Sequence, residues 1–174
     1  MTIIYKGRRV TLEVYRTVLP NNHVMNVERV IFPKAVAVLP IYGGDRVVLI
    51  RQFRPVINDY IFEIPAGVVE EKESEDEALI RELREEIGAE VINYGKLFEG
   101  FTSPGYSTEY LVIYYANVRS LGEAMPEEHE VIERVIVGLS EAMDMVRRGE
   151  IKDLKTALAL TLYALKGSSV TTTW

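Results

Sequence analysis

The chain has 174 residues, about the size of one domain, and 48% of them are hydrophobic, enough for a real core and too many for a disordered chain. With 20 Lys and Arg against 26 Asp and Glu, its formal charge of -6 sets it against a phosphate backbone unless the basic residues gather at one site, so nucleic acid is not expected as a partner. The absence of cysteine excludes disulfides and thiolate metal sites, no apolar run approaches the roughly 18 residues that span a bilayer, and MTIIYKGRRV lacks the apolar core of a secretory leader, so the expected location is the cytoplasm with no membrane partner.

Residues 3–31 read as a β meander. Val10, Leu12, Val14 and Arg16 share one side of a strand, and Pro20-Asn21-Asn22 marks a turn before a strand over 24–32. Strands are predicted over 35–41 and 47–52, joined by a hairpin turn at Tyr42-Gly43-Gly44-Asp45, with a further short strand over 60–64. A helix follows over 74–88. Ser74 can N-cap it, Glu77 three residues later completes a capping box, and Gly88 supplies the stop. Three more strands are predicted over 91–101, 110–118 and 131–137, then helices over 140–148 and 154–166, the second closed by Gly167. The tail, 168–174, reads as loosely held. Strands, one helix, strands and then helices indicate an α+β or α/β sandwich rather than a doubly wound sheet. Residues 1–33 form an N-terminal antiparallel meander too small to stand alone, and 34–174 form the main domain.

The helix carries the chemistry. At about 100° per residue, Glu86, Glu75 and Glu85 fall about 40°, 20° and 300° from Glu82, so four carboxylates crowd one face beside a stripe of Leu79, Ile80, Leu83 and Ile87. A solvated acidic face is the plainer reading. Against it, like charges one turn apart repel, and converging carboxylates raise one another's pKa unless a cation sits between them. Hard oxygen ligands of this kind suit Mg²⁺ or Mn²⁺.

The surroundings decide between these readings. Gly67, five residues, Glu73, seven residues, then Arg81-Glu82-Leu83-Arg84-Glu85-Glu86-Ile87-Gly88-Ala89 resembles the Nudix box, Gly-x5-Glu-x7-Arg-Glu-U-x-Glu-Glu-x-Gly-U, with Ala89 in the last bulky aliphatic slot as the one departure. The resemblance implies the α/β/α sandwich of the Nudix fold and hydrolysis of a nucleoside diphosphate linked to another group. It implies Glu82, Glu85 and Glu86 as ligands of Mg²⁺, joined by the Ala66 carbonyl. It also implies a Glu73–Arg81 ion pair that orients the helix, with Gly67 and Gly88 shaping the backbone.

The substrate rests on weaker markers. Phe101-Thr-Ser-Pro104-Gly105-Tyr-Ser-Thr-Glu109 resembles the Ser-Pro-Gly segment of ADP-ribose pyrophosphatases, although the tripeptide also makes plain turns. Arg51-Gln-Phe-Arg54-Pro and Glu63-Ile-Pro-Ala66-Gly67 resemble the same group. Substrate-side positions are therefore expected at Arg51, Arg54, Glu63, Pro104 and Gly105. Arg51 and Arg54 cannot both point to one side of a regular strand, and Arg54, at the strand end, is the one expected to contact phosphate or ribose. Hydrolysis needs a base to activate water. The box glutamates are committed to metal, and the two histidines, His23 and His129, are not preferred. In this family the loop corresponding to Pro126-Glu-Glu128-His-Glu130 carries the base, so Glu128 is ranked first and Glu130 second. Glu85 and Arg81 complete the expected catalytic group.

The resemblance implies a homodimer whose N-terminal sheets exchange, acting on ADP-ribose to give AMP and ribose 5-phosphate. Other nucleotide-sugar or dinucleotide substrates (a GDP-sugar, FAD, NADH) and a non-catalytic ADP-ribose-binding module stand as alternatives, the last disfavoured by the intact glutamates.

Overall fold

In the computed structural model, residues 1–128 and 130–167 are described; His129 and the tail 168–174 lie outside them. The N-terminal alternation folds into a separate three-stranded antiparallel sheet of β1 (Thr2–Lys6), β2 (Thr11–Val18) and β3 (Val24–Ile31). The predicted turn is there: Asn22 takes φ 63°, a left-handed conformation that Asn tolerates, and Asn21 Oδ1 accepts from His23 N at 3.0 Å. The sheet buries Glu13, which pairs with the half-buried Arg29 at 2.6 Å, and the guanidinium lies over the Tyr15 ring.

The main body follows as β4 (Ala35–Tyr42), β5 (Arg46–Arg54), β6 (Asp59–Glu63), β7 (Ala66–Val68), α1 (Glu75–Ile87), β8 (Ala89–Phe101), β9 (Tyr110–Leu121), β10 (Ile132–Gly138), α2 (Leu139–Arg147) and α3 (Leu154–Gly167). The seven strands form one sheet ordered β10-β5-β4-β9-β8, with β6 paired to β5 and β7 to β4. Only β4 and β9 run parallel. β4 and β5 pair at their hairpin end alone, Ile41 with Val47 and Tyr42 with Arg46. Beyond that they part: β7 takes over β4 and β6 takes over β5, so the segment from Glu63 to Gly67 bridges the opening.

The two-residue alternation of the central strands feeds two cores. Val36, Val38, Val48 and Ile50 pack on Leu79, Leu83 and Ile87 of α1. Ala37, Leu39, Val47 and Leu49 face Ala142 and Met145 of α2 and Ala159 and Leu160 of α3. Each such Leu or Ile removed from water contributes about 1.5–3 kcal/mol. Among the described residues no helix is long and apolar enough to cross a membrane. The three-residue β7 is too short to leave a period in the sequence and was not predicted; β9 continues to Leu121, past its predicted end.

Candidate active site

Helix α1 is fixed at both ends by the residues that the sequence marked. Ser74 Oγ accepts from Glu77 N at 3.2 Å, and the Glu77 carboxylate accepts from Ser74 N at 2.8 Å. At the other end Gly88 has φ 64° and bonds back to Arg84 O; a Cβ there would also meet the Gly122 and Glu123 carbonyl oxygens at 2.6 and 2.7 Å. Arg134 donates to Ile87 O at 2.7 Å, a cation at the negative end of the helix.

The carboxylates are more deeply placed than a helical wheel suggests. Glu82 is 8% exposed and Glu86 2%, because the β6–β7 segment lies over them. Glu86 accepts a hydrogen bond from Ala66 N at 3.3 Å. At Gly67 an added Cβ would overlap the Glu82 carboxylate, so any side chain here would have to push that carboxylate aside. Arg81 ties the group together. Its Nε and Nη2 fork onto Glu73 at 2.8 and 3.1 Å, Nη2 also donates to Val68 O, and Nη1 reaches Glu82 at 2.6 Å and Glu85 at 3.2 Å. Glu75 leaves the acidic stripe, held instead by Lys34 and Tyr114 Oη.

Burial, with Glu82 and Glu130 as neighbouring charges, pushes the Glu86 carboxyl well above the usual carboxylate range. Glu82 is raised as well, by burial first, against the pull of Arg81 and with the charges of Glu85 and Glu130 adding. Glu73 is lowered by its bonds to Arg81.

Residues 31–158 match the family model of the NUDIX domain. The chain belongs to the Nudix family. It is 34% identical over 165 residues to the ADP-ribose pyrophosphatase of Bacillus subtilis, a match covering 94% of this chain and 89% of that protein. The methanol dehydrogenase activator of Bacillus methanolicus matches to the same extent, 34% over 94% of this chain. A GDP-mannose pyrophosphatase of Cronobacter sakazakii is 34% identical over 75% of this chain and 74% of that one. The crystal structure of an ADP compounds hydrolase superposes with a TM-score of 0.84 at 25% identity, covering 97% of this chain and 92% of that chain. This Nudix hydrolase thus shares the fold of that hydrolase over nearly its whole length.

The Nudix donor set suits a hard divalent cation in kind: two buried carboxylates that repel each other, and a third, Glu85, at their edge. It is not a preformed cage. Among the described residues no three acidic or imidazole side chains converge closely enough to hold an ion as they stand, because Arg81 draws Glu82 and Glu85 to itself.

The remaining expected site residues divide by location. Arg54 forks onto Glu63 at 2.5 and 2.8 Å, and its charge reaches Glu86. Glu63 is almost wholly buried, so it meets Arg54 rather than solvent. Arg51, on the other side of β5, pairs with Glu133 at 3.4 Å and lies over the Tyr60 ring. Pro104 and Gly105 are exposed on a turn closed by Tyr106 N and Ser107 N onto Ser103 O, and nothing crowds Gly105. Glu128 is exposed, whereas Glu130 is half-buried and its charge acts on both Glu82 and Glu86.

Three features had no signal in the sequence. Val30 of β3 exchanges backbone bonds with Tyr106 and Thr108, and Thr108 Oγ1 bonds both N and O of Phe32, which seats the Ser-Pro-Gly loop on the N-terminal sheet. Gln52, on the α1 face of β5, keeps a buried Oε1 with no partner among the described residues. Lys155 of α3 reaches Glu63.

Proposed function

We propose that this Nudix hydrolase cleaves the pyrophosphate bond of ADP-ribose to AMP and ribose 5-phosphate, with Mg²⁺ as cofactor and Mn²⁺ as a substitute. The observation that carries this reading is the buried Glu82–Glu86 pair pressed against Ala66 and Gly67, an arrangement that costs stability unless a cation offsets it. Glu82, Glu85, Glu86 and the Ala66 carbonyl would hold the metal. When bound it neutralises the diphosphate and makes phosphorus more electrophilic.

The chain's own residues do the rest. Arg81 aims Glu82 and Glu85 and locks α1 to the loop through Glu73. Arg54 takes phosphate oxygens from the far side. A carboxylate of the 126–130 loop accepts the proton of the attacking water, whose oxygen bonds to phosphorus while the bridging oxygen leaves with the other phosphate. Glu130 is favoured over Glu128 here, because its charge is the one felt at Glu82 and Glu86. The exposed apolar residues Ile3, Ile4, Tyr5, Val18, Val24 and Met25 support a homodimer with exchanged N-terminal sheets.

Hydrolysis of GDP-mannose is the second reading, favoured by the similarity to GDP-mannose pyrophosphatases. The test is product analysis on ADP-ribose, GDP-mannose, FAD and NADH, with and without Mg²⁺. AMP and ribose 5-phosphate formed fastest from ADP-ribose, and only with the metal, is the expected result; faster cleavage of GDP-mannose would replace the substrate assignment.

A further inference from the structure

Glu63 sits where β4 and β5 part, its side chain 2% exposed, and a charge so placed is retained only with partners. It has them on two sides. Arg54, at the end of β5, donates Nε to Oε1 and Nη2 to Oε2. Lys155, in the first turn of α3, donates to Oε2 from the opposite face of the sheet.

Lys155 is itself held in place. Asp153 caps α3, accepting from Thr156 N at 3.0 Å and Thr156 Oγ1 at 2.5 Å, and it also takes Lys155 Nζ at 3.0 Å. Thr156 Oγ1 accepts from Ile64 N at 2.8 Å, so the start of α3 is bolted to the backbone one residue beyond Glu63. The Lys155 ammonium is thus held between Glu63 and Asp153.

A guanidinium has five N–H groups in a rigid fork. The bonds to Glu63 use two, leaving three for another acceptor. Arg54 is 33% exposed against 16% for Lys155, so Arg54 faces outward and Lys155 stands behind it. Arg54 and Glu86 act on each other's charge, so Arg54 lies within electrostatic reach of the carboxylate site. A carboxylate shared with no one else would cancel the charge that Arg54 brings to a substrate. Shared with Lys155, it orients the guanidinium while its charge is divided between two cations; with Asp153 the four groups are neutral together, so what Lys155 supplies is orientation.

We propose that Lys155 is a positioning residue for substrate: by sharing Glu63 with Arg54 it fixes the direction of the guanidinium that receives the diphosphate of a nucleoside diphosphate substrate. This rests on the pyrophosphatase reading above. Lys155 touches no reacting atom; it acts on affinity through Arg54.

The experiment compares the wild type, Lys155→Met, Lys155→Arg, Arg54→Ala and the Arg54→Ala/Lys155→Met double variant. KM and kcat are measured on ADP-ribose and on GDP-mannose, and ADP binding is measured by calorimetry. Lys155→Met should raise KM and weaken ADP binding about tenfold, the scale of one charge-assisted hydrogen bond, with kcat and Mg²⁺ dependence unchanged. Lys155→Arg should recover most of the loss, and in the Arg54→Ala background Lys155→Met should add little. If Lys155→Met does not fold, Lys155→Gln, which keeps a donor without the charge, is read in its place. Should the wild type cleave neither compound, the substrate reading fails, and ADP binding alone then decides the role of Lys155. Wild-type KM and ADP affinity in Lys155→Met, or an equal loss with and without Arg54, would overturn the proposal.

Discussion

Helix α1 buries Glu82 and Glu86 and packs Leu79, Leu83 and Ile87 within the chain, whereas the N-terminal sheet buries Glu13 beside a half-buried Arg29 and leaves Ile3, Ile4 and Tyr5 each more than half exposed. The helix is therefore finished as a structural unit and unfinished electrostatically; the sheet is the reverse. Under the proposed function a divalent metal would offset the repulsion in the first, and a second copy of the chain would cover the apolar face of the second.

The widest break in that comparison should come from Glu86→Gln, with Glu82→Gln close behind. Each should remove nearly all turnover while the protein remains folded. In metal-free buffer, relief of about 1 kcal/mol of repulsion would raise the thermal midpoint by about 2–4 °C. Turnover near the wild-type rate at saturating Mg²⁺ in either variant would end the ligand assignment. Next in size, Glu130→Gln should lower kcat by about 10²- to 10⁴-fold with little change in KM, the scale of a lost general base. Glu128→Gln should fall less, and the reverse order in a rate assay would restore Glu128 as the base.

Removing residues 1–33 tests the sheet. In solution scattering or sedimentation the shortened chain should lose its dimer. Its KM should rise more than its metal requirement, because Val30 and Phe32 hold the Ser-Pro-Gly loop. An intact dimer with unchanged KM would separate the sheet from the substrate. Gly67→Ala is a smaller, local probe: the methyl would displace Glu82, costing about 1–3 kcal/mol by chemical denaturation together with part of the activity.

The smallest effect is a pH dependence at Glu63. Burial raises its pKa, but the bonds and charges of Arg54 and Lys155 outweigh that and hold it below 4.5. A carboxyl lowered on folding contributes stability that is present above about pH 4.5 and is lost as pH falls through its folded value. Denaturation curves should thus show Glu63→Gln less stable than wild type near neutrality, with the gap narrowing in acid. A gap that stays constant would show that Glu63 does not titrate in this way.

The caps, the apolar stripe and the box spacing of α1 are local, and the sequence reveals them because neighbours on a helix are neighbours in the chain. The burial of Glu82 and Glu86 is not local. The wheel leaves them beside the apolar stripe at the surface, and only the tertiary placement of Ala66 and Gly67 covers them. The same wheel groups Glu75 with them, while Lys34 and Tyr114 from distant strands draw it away. Arg51 and Arg54 part to opposite sides of β5 as alternation requires, yet neither Glu133 nor Glu63 can be named as a partner from spacing alone. Lys155 stands 92 positions from Glu63, and nothing in a single sequence marks such a pair.

The parallel pairing of β4 with β9 sets the timing of assembly. Ala35 is matched with Leu111 and Tyr42 with Val118, so the central strand of the sheet lacks one neighbour until a ribosome has synthesised well over half of the chain. Until then α1 has only part of the surface that buries Leu79, Leu83 and Ile87, and Val112, Tyr114 and Ala116 on β9 supply the remainder. Distant pairings of this kind must meet their loop-closure cost before any contact repays it, which makes them slow. The nascent chain therefore carries an incompletely covered apolar strand over residues 35–42 until β9 emerges, and β5 waits longer still, for β10, so the centre of the sheet is the part left open to misassociation during synthesis.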